Sequence, residues 1–460
     1  MQRIHDAAGK AFEFFREPPG KYSAVELAAI LYLSIPLLVF CVSFLAVPLA
    51  VICTAAIAFV LYRVIRQTEL RGAPVLSDLV LVFIAAAWTV AAGVTTIGYQ
   101  TFDWPKHYAI FDALNGRWPV VRESGLYLRY SLGFYLVPSL FSKVVGLPVA
   151  IATWSCLGLW IAFRLALPGS RPPVKQALLV ATTLIFFSGL DYIGNALLDA
   201  RLLAPWHLEW WPQFGQISSI STTLAWAPQH AVPTLIVGAL YFRNMKSVRA
   251  DGLIFTSLLF WSPLTAIGML PFIAWRCFNN FGVLVRSADC MLIAPVSLVI
   301  ALYLTKDSAS LPSYPVWNSS LFTFNRLLLV YILDWGLIVA ALIYAGRRWN
   351  DPMLVAAVVC LTVFPLYWFG GANDFMMRTT APAVVILAAM CAQTMWEAPL
   401  ARSLPLIMIL TLGATTAIGE LTRVVSQPAV AGYINWNIER AAPDAYAAQY
   451  LSQRPAVIRR

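Results

Sequence analysis

Charge is scarce in this chain. Asp, Glu, Lys and Arg make up 12% of its 460 residues, about half of the roughly 25% that soluble domains carry. The deficit is concentrated in long apolar stretches such as LVLVFIAAAWTVAAGV (79–94), LLLVYILDWGLIVAALIYAG (327–346) and MLVAAVVCLTVFPLYWF (353–369). Too few polar residues remain to cover a soluble surface. A membrane span takes about 20 mostly apolar residues, and the sequence offers about 12–14 such stretches. The fold class expected is therefore an all-α polytopic membrane protein.

Other absences narrow the chemistry. The chain has no GxGxxG, no Walker motif, no GxSxG and no HExxH, and no polar stretch long enough for a cytoplasmic nucleotide-sugar domain. The seven cysteines, at 41, 53, 156, 277, 290, 360 and 391, show neither CxxC spacing nor a pairing pattern. They read as small hydrophobes within or beside apolar runs. The net charge of +10 does not make a nucleic-acid stripe. Its basic residues gather at helix ends, in RVIRQTELR (63–71), RNMKSVR (243–249) and Arg347-Arg348, as the positive-inside tendency predicts. The apolar run that follows the mixed-charge N-terminus is too long for a cleavable signal.

Placing the basic loops inside gives a map. Residues 1–76 form a cytoplasmic segment and a helical hairpin, with helices near 25–43 and 45–65. A helix at 77–97 opens a transmembrane core (77–420), and 421–460 is a short extracytoplasmic tail. Loops 98–127, 191–230, 305–326 and 370–378 then share the outer face. Of the two apolar runs between 128 and 167, one is expected to be interfacial or re-entrant. The stretch 252–275 reads as a hairpin broken at Ser262-Pro263.

What charge there is collects in those outer loops. In TFDWPKHYAIFDALNGRWPVV (101–121), Pro105 suits a first helical position. Tyr108, Phe111, Leu114 and Trp118 follow at three- and four-residue spacing, which predicts a short amphipathic helix lying in the interface. Asp103 sits just ahead of it, with Lys106 and His107 one turn on. A plain anchor with Asp103 as its cap fits the same pattern. The second loop holds His207, Glu209, Trp210, Trp211, Gln229 and His230, so three of the four histidines lie in outer loops. Aromatic faces set among a few polar groups suit sugar rings or lipid headgroups. In the third, FGGANDFMMRTT (369–380), Asn373, Asp374 and Arg378 stand at a helix entry, a setting for phosphate, or for a simple i,i+4 ion pair. Asp334, inside an apolar run, should face protein or water, paired with Arg326 or a helix amide, to offset its insertion cost of roughly 2.5–3.5 kcal/mol.

The order of these parts resembles the GT-C fold glycosyltransferases, polytopic enzymes that draw sugars from polyprenyl-phosphate carriers. The likeness rests on FDWPKHYAIFDAL after a transmembrane helix, on FWSPLTAIGMLPF (260–272), and on HLEWW, WAPQHAVPTL and NDFMMRTTAPA. It covers about residues 77–420 and lies more in arrangement than in any diagnostic motif. Many relatives carry two adjacent acids in the first loop; here Trp104 follows Asp103. The resemblance implies an inverting glycosyltransferase of a bacterial inner membrane, its site facing the periplasm or exterior. Its partners would be a polyprenyl-phosphate sugar donor, a lipid or glycan acceptor and membrane lipid, with no nucleic acid. Asp103 would be the catalytic base. Lys106, His107 and Arg378 would hold the donor phosphate, and His207, Glu209, Trp210, Trp211, Gln229, His230, Asn373 and Asp374 would contact substrate. No cofactor is assigned, and the metal is unknown, with a divalent cation left open. The alternative is a transporter or flippase of an anionic lipid-linked substrate, which would need the same outer residues but no base.

Overall fold

A computed structural model describes residues 21–69, 75–95, 97–122, 124–199, 208–244, 250–285, 287–307, 311–427 and 450–459. The chain is mostly helical. Among the described residues seven helices are long and apolar enough to cross a membrane, and six more are apolar but shorter. That architecture is compatible with an all-α integral membrane protein.

Local chemistry sets the helix starts. Ser23 and Glu26 form a capping box ahead of the Ala24–Phe44 helix. Asp351 caps the Pro352–Val363 helix, and Asn373, in the left-handed region at φ 51°, caps Asp374–Glu397. Proline stands in the first turn of Val47–Arg66, Trp104–Leu114, Leu147–Ala166, Pro228–Arg243 and Pro263–Gly268, where its missing N–H costs nothing. On the outside of the bundle Val47, Val51, Ile52, Leu79 and Phe83 are exposed, a surface suited to lipid rather than water.

The doubtful region before residue 167 resolves clearly. Leu136–Val145 has 10 residues, too few to span. It turns at Gly146, whose φ of +83° favours glycine, into the 20-residue Leu147–Ala166 helix. The broken hairpin is present as well. Asp251–Trp261 ends at Ser262, Pro263–Gly268 follows, and Leu270–Val285 returns. Its two distal positions meet in the buried Arg276–Asp251 ion pair, 2.5 Å apart.

Three expectations are corrected. The third helix is Leu76–Ala91, shorter than 77–97, because the chain turns at Gly93 with φ +68°. The loop expected from 191 opens with a further helix: Val174–Phe186 ends, residues 187–190 are non-helical and Asp191–Asp199 follows, the two together apolar enough to count as one candidate span over Val174–Leu198. Asp191 does not end it: Ser188, Trp211 and Thr416 all donate to its buried carboxylate. Finally, Trp104–Leu114 is not an amphipathic helix lying in the interface. Nine of its eleven residues are buried in protein, with Trp104 donating to the Ala225 carbonyl at 3.1 Å and Phe111 packed on Phe134 and Tyr135.

Two buried helices run through the centre. Pro228–Arg243 packs against both Leu147–Ala166 and Asp374–Glu397, and the last is the most buried of the seven long helices. Short strand pairs tie the ends: Ser313–Pro315 lies antiparallel to Tyr367–Phe369, and Leu451–Ser452 pairs antiparallel with Tyr127–Leu128.

Candidate functional site

Asp103, Lys106, His107, Gln229, His230, Asp374 and Arg378 come together at one end of these central helices. Lys106 Nζ lies 2.6 Å from Asp103 Oδ2. Asp103 precedes the helix but makes no capping hydrogen bond, so the carboxylate faces Lys106 instead of the helix amides. Arg378 Nη2 donates to Asp374 Oδ1 at 2.6 Å, and Arg378 is close enough for its charge to act on Asp103. Burial opposes ionisation of Asp103, yet the Lys106 charge and hydrogen bond outweigh it and hold the carboxyl below its ordinary value. It is thus ionised at neutral pH, able to accept a proton and not to donate one. Burial disfavours the Lys106 ammonium, but the Asp103 charge reverses this and raises its pKa.

His107 is fully buried and engaged at both ring nitrogens. Nε2 donates to the Trp226 carbonyl at 3.1 Å, which leaves Nδ1 to accept from the Tyr135 hydroxyl at 2.7 Å. Burial, with the Lys106 charge adding to it, pushes its pKa down to about 3. The neutral ring braces the loop helix and offers no cation to a phosphate, contrary to the role the resemblance implies.

Other atoms here lack protein partners. His230 is buried, its Nδ1 bonded to Ser262 Oγ at 2.7 Å, while Nε2 makes no hydrogen bond. Gln229 Nε2 reaches the Tyr130 hydroxyl at 3.4 Å, and its buried Oε1 is unsatisfied, as is Arg378 Nε. Buried polar atoms left unpaired cost roughly 1–3 kcal/mol each, so these three leave hydrogen-bonding capacity open beside the charged cluster.

Three aromatic residues join the cluster that the loops alone did not reveal. Tyr450 packs on Tyr130 with ring centroids 4.9 Å apart, and Tyr130 lies 6.0 Å from Tyr135. The charge of Lys106 interacts with both Tyr450 and Tyr130. Tyr450 arrives from the tail, where the pairing of Leu451–Ser452 holds it; the outer placement of the tail was expected, its contact with Tyr130 was not.

The remaining predicted residues are structural or elsewhere. Glu209 accepts from Gln216 Nε2 at 3.1 Å and from the Ser219 amide at 2.8 Å, fixing its own loop. Trp211 is buried and donates to Asp191. Asn373 caps its helix and donates to the Phe214 carbonyl at 2.9 Å. Trp210 adjoins Trp211 in the short 3-10 turn Leu208–Trp210, and His207 lies outside the described residues. Asp334 is buried in a π-helical turn, Tyr331–Gly336, with Oδ1 unsatisfied. Arg326 instead donates to Gln213 and Leu321. Among the described residues no group of three or more His, Cys, Asp or Glu side chains could hold a metal ion.

At the far end of the same two central helices lies a cleft of about 1190 Å³, lined in part by Arg243, Arg276, Arg347, Arg348 and Gln393. His230 and Arg243 are one helix apart, roughly 20 Å at 1.5 Å per residue. No protein family profile matches the chain, no curated protein does, and neither does any solved structure.

Proposed function

We propose that the chain is a membrane glycosyltransferase that takes a sugar from a polyprenyl-phosphate-linked donor at the extracytoplasmic face. The supporting observation is one cluster: an ionised carboxylate that caps no helix, two cations, and three unsatisfied buried polar atoms. Asp103 would accept the proton of the acceptor hydroxyl as the new glycosidic bond forms. Arg378 and Lys106 would stabilise the phosphate oxygen as the bond from anomeric carbon to phosphate breaks. His230 Nε2 and Gln229 Oε1 would bond sugar hydroxyls, with Tyr130 and Tyr450 against the ring. Glu209, Trp211 and Asn373 are assigned to support rather than to substrate contact.

The cleft at the opposite end favours one other reading, a transporter of an anionic lipid-linked substrate working between two concave ends. Proteoliposomes carrying a polyprenyl-phosphate sugar separate the two. A transferase lengthens an acceptor and releases polyprenyl phosphate. A transporter moves intact donor between leaflets and yields no new glycoside.

A further inference from the structure

The cleft at the far end is not explained by chemistry at Asp103. Its guanidinium groups are unequally committed. Arg276 is buried against Asp251. Arg347 is held by Asp351 at 2.8 Å and donates to Gln393 at 3.0 Å. Arg243 donates from Nη1 to the Leu167 carbonyl at 2.7 Å and lies within reach of the Glu26 charge, which leaves several of its five N–H groups. Arg348 is exposed, and no side chain among the described residues engages it.

The depth of the cleft follows from tryptophan. Trp275 lines it, Trp349 is next to Arg348, and Trp396 is next to Glu397 of the lining. These indoles are 40%, 75% and 43% exposed; Trp396 stands at the end of Asp374–Glu397 and Trp349 in the turn before Pro352–Val363, while Trp275 lies within Leu270–Val285. Exposed tryptophan at helix ends belongs at headgroup level. A volume of about 1190 Å³ accommodates a small-molecule group with room left over.

We propose that this cleft binds a phosphate-bearing group, seated by Arg243 and Arg348 at the headgroup level of the leaflet opposite Asp103. Planar guanidinium forks match phosphate oxygens in pairs, while Gln393 on the wall is already held between Arg347 and Glu397. The same chemistry fits an anionic phospholipid headgroup or a free phosphate, and it does not depend on what Asp103 does.

Purified full-length protein is placed in nanodiscs of phosphatidylcholine and phosphatidylglycerol, extracted in neutral detergent, and its retained lipid weighed by native mass spectrometry. Wild type should retain phosphatidylglycerol over phosphatidylcholine, and Arg243→Gln/Arg348→Gln should lose that preference by roughly thirtyfold, at about 1 kcal/mol per basic residue. The single Arg348→Gln variant alters a partnerless side chain and guards against misfolding; it should lose part of the preference. Arg171→Gln/Lys175→Gln removes exposed basic residues outside the lining and should change nothing. Thermal stabilisation by inorganic phosphate, absent in the double variant, would support a soluble phosphate as the source. Equal loss in the control variant, or no preference and no phosphate effect in wild type, would overturn the proposal.

Discussion

At the scale of single residues the account rests on charge state. His107 is the sharpest case. Unfolded, its imidazole titrates near 6.5, whereas folding holds the pKa at about 3. As pH falls below 6.5 the unfolded chain takes up a proton that the folded chain refuses. Stability is therefore whole above about pH 6.5 and drains away toward pH 3, at about 1.4 kcal/mol per unit for one proton. His107→Gln, which keeps a donor for Trp226 and an acceptor for Tyr135, should flatten the acid limb of a plot of melting temperature against pH. Parallel curves would show that the ring is not the titrating group. Arg378 is tested by binding. Arg378→Gln should weaken capture of polyprenyl phosphate by about 1.5–3 kcal/mol, as for hydrogen bonds to a charged group, and leave a neutral glycan unaffected. Equal loss for both ligands would remove Arg378 from the phosphate role. The sequence made these residues legible because charge is rare here, so each charged side chain in an outer loop stood out. It could not distinguish binding from bracing: His107, Glu209 and Trp211 look as ligand-like in one dimension as His230 does. Only their partners, Tyr135, Ser219 and Asp191, show that they are already occupied.

At the scale of elements, proline and glycine carry the arrangement. The break at Ser262-Pro263 was readable because proline cannot continue a helix without disruption. What the break positions was not readable: Ser262 Oγ meets His230 Nδ1 at 2.7 Å and so orients the free Nε2. Ser262→Ala should cost about 1 kcal/mol of stability and lower turnover further by releasing the His230 ring; unchanged turnover would detach His230 from the site. Gly268 ends the short Pro263–Gly268 helix where it abuts Asp374–Glu397, and a Cβ there would run into the Thr379 carbonyl oxygen. Gly268→Ala should destabilise by about 1–3 kcal/mol, the usual cost of overpacking, seen as a lower melting temperature in detergent. Wild-type melting would mean that the two helices can separate freely. The loop helix shows why periodicity misled. A stripe of Tyr108, Phe111 and Leu114 looks the same whether lipid or protein covers it, and here Tyr135, Phe134 and Trp226 lie on the protein side.

At the scale of the whole molecule, composition pointed to an all-α membrane protein through apolar length and low charge, and the seven long apolar helices among the described residues are compatible with it. The convergence of loops more than 250 residues apart in sequence, Asp103 with Arg378, followed from placing both on one face by the distribution of Lys and Arg. The tail was expected on that face too, but the docking of Tyr450 against Tyr130 was not, since a short strand pair with Tyr127–Leu128 has no periodic signature. Two central helices join a carboxylate–cation cluster at one end to an arginine-lined cleft at the other, and the central claim concerns the first. The direct measurement is transfer of radiolabelled sugar from a panel of polyprenyl-phosphate donors to added acceptors by purified protein, wild type against Asp103→Asn. The account predicts turnover in wild type, none in Asp103→Asn, and equal donor binding by both. Near wild-type turnover in the variant, or no transfer by wild type from any donor it binds, would contradict it.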